Sequence, residues 1–308
     1  MTKKNILLFI VLHTAAFLTS FGQEVDETPQ HFGQFYNNPL INLSRNGLDS
    51  KVEIAFDNQR NIGGFSGVST SYFGLFFAQQ SKKRRKRKSK NVYGLYIYDD
   101  IEGDLISRRR VNLSYATHQQ LSKKWTLSLA LSGGLYLFGI KPSKTTRAYS
   151  ANSFEGNSSL LLYSKQFQIG VSMNQFTNSS VQPAQQITRL KRHYYIFSQY
   201  KWRKNNIDLI PSVFVRYMNL SDPLSSTKGT IAGGSFRAVY KIIMAGVTAD
   251  SYGVYLSTGL NNWNLFGNEY NMDFSYFVPT AANTINVNRM EVNLRMKING
   301  RKKVTFFN

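Results

Sequence analysis

Thr126-Leu127-Ser128-Leu129-Ala130-Leu131-Ser132 puts a leucine at every second position, with small residues between. Successive side chains of an extended chain point to opposite faces, so Leu127, Leu129 and Leu131 share one face of a strand and Thr126, Ser128, Ala130 and Ser132 the other. The same period runs through Val111, Leu113 and Tyr115 against Asn112, Ser114 and Ala116. It recurs in Phe167, Ile169, Val171 and Met173 against Gln168, Gly170, Ser172 and Asn174, and in Val292, Leu294, Met296 and Ile298 against Asn293, Arg295 and Lys297. Strands with one apolar and one polar face suit both a membrane barrel and a β-sandwich, so the connections must separate the two. Tight turns recur at Leu121 to Lys123, at Ser164-Lys165 and at Arg203 to Asn206, and longer connections, Ile140 to Glu155, Gln175 to Arg189 and Met218 to Lys228, fall between them. Hairpins that open on opposite sides of a membrane produce this alternation, with short turns in the periplasm and long loops outside. From Lys51 onward the pattern predicts an all-β fold, a transmembrane antiparallel β-barrel of about fourteen strands, an even count that returns both chain ends to one side. The leucines should then face lipid, making Leu129→Arg more damaging to assembly than Ser128→Arg.

Composition agrees with a barrel and excludes helical spans. The chain is 42% hydrophobic and 14% aromatic, with 22 glycines, 18 tyrosines and 22 phenylalanines, while its mean hydropathy is only -0.31. A barrel hides its lipid contact in alternate residues, so its average stays soluble-looking. Beyond the N-terminus no apolar stretch approaches the ~18 residues of a helical span. The chain opens Met1-Thr2-Lys3-Lys4, runs apolar through Leu12 and reaches Thr19-Ser20-Phe21-Gly22-Gln23. A basic start, a short apolar core and small residues before a polar stretch are the order of a secretory signal, and the run is short of the ~20 residues a spanning anchor needs. The expected organisation is a signal peptide over 1–22, an N-terminal periplasmic or plug segment over 23–50 and an outer-membrane barrel over 51–308. Residues 24–50 do not alternate and carry Pro29, Pro39 and Gly47, and no cysteine is present for a lipid anchor or a disulfide.

Lys82-Lys83-Arg84-Arg85-Lys86-Arg87-Lys88-Ser89-Lys90 holds eight cations in nine residues. Like charges repel, so the run reads as a solvated loop. A basic cluster binds nucleic acid by counterion release, but export makes nucleic acid an implausible partner. The tract joins the second and third strands of the count, on the periplasmic side, where an acidic periplasmic partner is the natural counterpart and an unpartnered loop the bland alternative. Without Lys3 and Lys4 the chain keeps 36 basic residues against 17 acidic, a net charge of +19, and it is still +11 without the tract.

Catalytic and metal signatures are sparse. No Gly-x-Ser-x-Gly elbow, His-x-x-x-His or Glu-x-x-His pair occurs, and His13, His31, His118 and His193 are scattered. No cofactor is implied and the chain reads as noncatalytic. Asp99-Asp100-Ile101-Glu102-Gly103-Asp104 lacks the spacing of a calcium loop and reads as a polar extracellular loop. His118 and His193 read as hydrogen-bonded strand or lumen residues.

Several stretches resemble the PorP/SprF family of outer-membrane proteins of the type IX secretion system. Gln34-Phe35-Tyr36-Asn37-Asn38-Pro39-Leu40-Ile41-Asn42 is similar to the family's N-terminal signature, in which Gln34, Asn38, Pro39, Leu40 and Asn42 carry the match. Its usual continuation is replaced by Leu43-Ser44-Arg45-Asn46-Gly47. Gly94 with Asp100, and Ser114-Tyr115 before His118, resemble two further segments; His193 in Arg192-His193-Tyr194 and Pro211-Ser212 resemble two more. The terminal Phe306-Phe307 is similar to the aromatic end of many such barrels, although Asn308 follows it. The resemblance implies a divergent member working in contact with outer-membrane lipid and with other type IX components or an exported adhesin of the gliding type. A passive channel or transporter for small solutes is the competing reading.

Overall fold

The computed structural model describes residues 24–25, 41–48, 50–63, 67–80, 89–142, 148–182, 188–218, 229–280 and 287–298. Fourteen antiparallel strands close into a barrel. They are β1 (Val52–Asn61), β2 (Val68–Gln80), β3 (Ser89–Glu102), β4 (Ile106–Gln120), β5 (Thr126–Ile140), β6 (Tyr149–Tyr163) and β7 (Phe167–Asn174). The second half comprises β8 (His193–Tyr200, continuing as Trp202–Lys204), β9 (Ile207–Met218), β10 (Thr230–Tyr240), β11 (Ile243–Asp250), β12 (Gly253–Leu265), β13 (Asn268–Pro279) and β14 (Arg289–Ile298). Each strand pairs with its neighbours in sequence, and β14 pairs with β1 along its length, from Ile298↔Val52 to Arg289↔Asn61. The break in β8 lies opposite Pro211, whose nitrogen has no hydrogen to donate: ladder pairing with β9 stops at Gln199↔Ser212 and resumes at Trp202↔Leu209.

Alternation sorts the side chains by face. Leu113 is 69% exposed and Leu131 50%, on the outer surface with Ile196, Val213, Ile243 and Leu256. Tyr72, Tyr96, Tyr98, Tyr136, Tyr163 and Tyr195 take the other parity and are buried inside. Tyr93 against Tyr115 and Trp125 against Phe167 add outward aromatic pairs, with ring centroids 5.5 and 6.1 Å apart, of the kind that sits at a membrane interface.

The two rims differ. Both ends of the barrel meet at one, here the terminal rim, where the connections after β4, β6, β8, β10 and β12 hold between two and five residues and only the 81–88 connection is longer. At the opposite loop rim the connections after β5, β7, β9 and β13 hold between eight and eighteen residues. The loop rim is also uneven. The last β6–β7 pair is Ser158↔Met173, so residues 149–157 of β6 pair with β5 alone. Phe176 N donates to Gly156 O at 2.9 Å and Thr177 Oγ1 to Phe154 O at 3.3 Å, which folds the start of the β7–β8 connection against that edge. Within the same connection Thr188–Leu190 pairs with Ser180–Val181 and with Glu24–Val25.

Three expectations change. The stretch Ile140 to Glu155 is a connection only over 141–148; Tyr149 to Glu155 is strand, and its outer face carries Ser150 and Asn152, so apolar alternation does not reveal it. Asp99 to Glu102 is strand rather than loop, because a row of arginines on β4 neutralises it: Asp99 meets Arg109 at 3.0 Å, and Asp100 and Glu102 meet Arg108 at 3.2 and 2.6 Å. Leu129 keeps the outer parity but is only 6% exposed, and Ser128 offers no milder site for arginine. Ser128 is fully buried, opposite the equally buried Leu161, because the lumen at that height is packed.

Two substitutions on β5 therefore fail for different reasons. Leu131→Arg puts a charge near the lipid midplane at a cost of about 2–4 kcal/mol, and Ser128→Arg forces a long cation into a filled interior at a cost of at least ~1–3 kcal/mol. Both should abolish the heat-modifiable species in detergent gels, and wild-type migration of Ser128→Arg would contradict the packed lumen.

Candidate functional site

The packing inside the barrel comes from the chain's own N-terminal segment. Asn42 caps a short 3-10 turn, Leu43–Arg45, its side chain accepting from Ser44 N at 3.1 Å. The turn ends at Asn46, and Gly47 reverses the chain at φ +63, a left-handed conformation that favours glycine. A Cβ there would also meet Val92 at 2.8 Å. The result is a compact plug, with Ile41, Asn42, Leu43, Ser44, Asn46, Leu48 and Ser50 all buried.

The wall is built to hold it. Lys90, only 1% exposed, donates from Nζ to the carbonyls of Gly47 and Ser50, the latter at 2.9 Å, with Leu48 O at 3.5 Å. Glu53 accepts from Gly47 N at 3.2 Å and is held by Arg295 Nε at 3.2 Å. His118 bridges Asn46 O at 3.1 Å and the Tyr163 hydroxyl at 3.2 Å. Ser44 N donates to Ser159 Oγ at 2.9 Å, Ser172 Oγ donates to Ile41 O, and Asn42 Nδ2 reaches Leu160 O at 3.3 Å. Gly170 leaves room for this seat, since a Cβ there would lie 2.7 Å from Asn42 Nδ2 and against the Phe197 ring. Ile41 and Leu48 add an apolar contact with Leu161, Phe197, Phe214 and Ile231. Most of these partners are backbone groups, which satisfies the irregular chain as burial requires.

Nearer the loop rim, polar side chains continue the filling. Arg110 lies over the rings of Tyr98 and Tyr136 at 5.1 and 5.6 Å and 3.4 Å from Glu155, which also accepts from Asn112. Asn157 donates to the Tyr96 hydroxyl at 3.0 Å and to Ser132 Oγ at 3.1 Å. Among the described residues no group of three histidines or carboxylates could hold a metal ion.

The family-like residues do not form a single site. Gln34, Asn38, Pro39 and Leu40 lie outside the described residues, while Asn42 is the cap of the plug. Gly94 and Ser114 are opposed across β3 and β4 on the inner face, where a Cβ on Gly94 would strike Phe76. Tyr115 points outward and donates to Asn91 Oδ1 at 3.1 Å. Asp100 accepts from Thr70 Oγ1 at 2.8 Å, His193 is buried at the loop-rim end of β8, Pro211 marks the break opposite β8 and Ser212 lies inside. The basic tract divides. Lys82, Lys83, Arg84, Arg85, Lys86, Arg87 and Lys88 lie outside the described residues, but Lys90 is not a solvated loop cation: it shares the inward parity of Val92 and Tyr96, and the plug carbonyls take its charge. Sequence reading also passed over Glu53, Ser159, Gly170 and Ser172. Their only signal is inward parity, since the groups they serve are distant in the chain.

Lys90→Met keeps the length of the side chain and removes its donors, stranding two or three buried carbonyls at a cost of roughly 1–3 kcal/mol. The barrel should still migrate as folded, while residues 41–50 become open to limited proteolysis; Gly170→Val should do the same by occupying the seat of Asn42. Unchanged protection in both variants would count against the latch.

No curated protein matches the chain. In structure it is similar to the CymD monoaromatic hydrocarbon channel, with a TM-score of 0.55 and 9% identity over 88% of this chain and 95% of that one. It is similar also to the toluene transporter TodX of Pseudomonas putida, at 0.52 and 9% over 89% and 94%, and to a FadL homologue of Pseudomonas aeruginosa, at 0.52 and 8% over 90% and 99%. At such identity these likenesses speak for the fold alone. The family model of the type IX secretion system membrane protein PorP/SprF matches residues 24–289, spanning the plug and almost the whole barrel. The chain belongs to the PorP/SprF family, a component of the type IX secretion system in the outer membrane.

Proposed function

We propose that this chain is a noncatalytic member of the secretion machine that assists export or surface attachment of secreted proteins, including adhesins of the gliding type, and does not conduct small solutes. The carrying observation is the latched plug: a chain segment hydrogen-bonded to β1, β3, β4, β6 and β7 lies inside the barrel, across part of the path a channel would need. Residues 1–22 serve as a removed signal peptide, 23–50 as the segment carrying the plug, and 51–308 as the barrel. The terminal rim faces the periplasm, a reading supported by its short turns. The tract Lys82 to Lys88, anchored at that rim by Gln80 and Ser89, then meets periplasmic components, and an acidic one suits its charge.

Purified protein in planar bilayers should show no steady open-pore current, and deletion of the chain from its host should leave cargo unexported or detached from the surface. A steady current from the wild-type protein without any partner, together with normal export in the deletion strain, would replace this reading by passive transport.

A further inference from the structure

Five cations gather at the terminal rim. Lys123 and Lys124 come from the β4–β5 turn, Lys165 from the β6–β7 turn, and Lys201 and Arg203 from the end of β8; they line one cleft of about 550 Å³. The turns that carry them are braced. Ser122 Oγ accepts from Lys124 N at 3.3 Å and Trp125 N at 3.1 Å, and Ser164 Oγ accepts from Gln166 N at 3.3 Å and Phe167 N at 3.0 Å. Lys201 N ties β8 to the middle turn through Gln166 O at 2.6 Å. Asp208 answers two of the cations, meeting Lys201 Nζ at 2.9 Å and the Arg203 guanidinium at 2.6 and 2.9 Å. Lys123, Lys124 and Lys165 are exposed, so the cleft carries a surplus of positive charge on ordered backbone.

Its position decides between a lipid headgroup and a polypeptide. The three connections are successive around one rim of the ring, so the cleft they share lies at its mouth. Strand parity agrees: Arg203 pairs with Asp208 on the inner face, while Tyr200 and Trp202 are exposed on the outer one. The cleft therefore opens on the aqueous vestibule below the plug rather than on the bilayer.

We propose that this vestibule is the docking site for an acidic segment of a periplasmic protein, one that presents two or more carboxylates within a few residues. The inference deepens the secretion reading and rests on its assignment of the terminal rim to the periplasm. Single exposed ion pairs are weak and screened by salt, so recognition depends on several lysines acting together from turns already fixed in place. The braced turns supply geometry as well as charge.

The test uses the full chain in detergent with the seven basic residues of 82–88 changed to serine, so that the tract does not mask the cleft. A fluorescein-labelled oligoglutamate peptide is followed by anisotropy. Binding should weaken steeply with salt, fall by about ten-fold or more in Lys123→Glu/Lys124→Glu/Lys165→Glu, and survive in the matching triple arginine variant. Folding of each variant is checked by heat-modifiable migration. Equal binding by the folded charge-reversed variant would overturn the proposal. So would displacement of the peptide by short-chain phosphatidylglycerol at concentrations where a neutral lipid of the same length has no effect, which would make the cleft a lipid site. In cells, normal export in the deletion strain counts against the secretion reading itself; normal export by the charge-reversed variant, where deletion stops export, counts against the vestibule alone.

Discussion

Backbone amides that cross hydrocarbon have no water to turn to, so each must find its partner within the protein. In this chain that requirement is met by the seam between β14 and β1, which joins residues more than two hundred positions apart and closes the ring. Much of the remaining structure follows from closure. Once the ring is shut, the two faces of every strand have different surroundings, and the leucines and valines of one parity go to lipid while the tyrosines and charges of the other go inside. Closure also keeps β8 in place across its break opposite Pro211, because Lys201 N continues the ladder on the other side of the strand to Gln166 O in the β6–β7 turn.

Closing the ring creates an inner surface that is itself unsatisfied. Glu53, Lys90 and His118 are polar groups on strands, and a packed interior is costly for each unless it is paired. The plug solves both problems at once. Its irregular backbone exposes carbonyls and amides that strands and helices would have used internally, and these are what Lys90, His118 and Glu53 bind. An irregular segment is thus better suited than a regular one to fill a polar-lined barrel. Glycine at 170 and at 47 shows the same fit from the steric side, one vacating space and the other supplying the turn.

Alternation in Thr126 to Ser132 and the tight turns near Leu121, Ser164 and Arg203 carried the fold, because a lipid-facing strand needs an apolar side chain at every second position whatever lies elsewhere. The signal weakens where the physical demand does. Tyr149 to Glu155 rises past the end of β7 with Ser150 and Asn152 outside, so it reads as loop although it is strand. Lys90 is hidden for a different reason: with its seven neighbouring cations it reads as part of a solvated run, and only the parity it shares with Val92 and Tyr96 separates it from the others. The plug has no period, and its contacts lie from a few residues to more than a hundred away. The vestibule draws its cations from three turns that are some forty residues apart in sequence, and only the ring brings them together.

The plug also ties one end of the chain to most of the ring. It precedes β1 in the chain, yet its contacts span β1 to β10, and it lies within a wall whose final joint is made by the last strand to be synthesised. A segment held by so many distant partners is a slow element to place, since long-range contacts repay their ordering entropy late. The plug is therefore fully seated only when the strands that hold it have come together. The N-terminal segment is thus a keystone as much as a stopper, held by strands that only the closed ring brings around one interior.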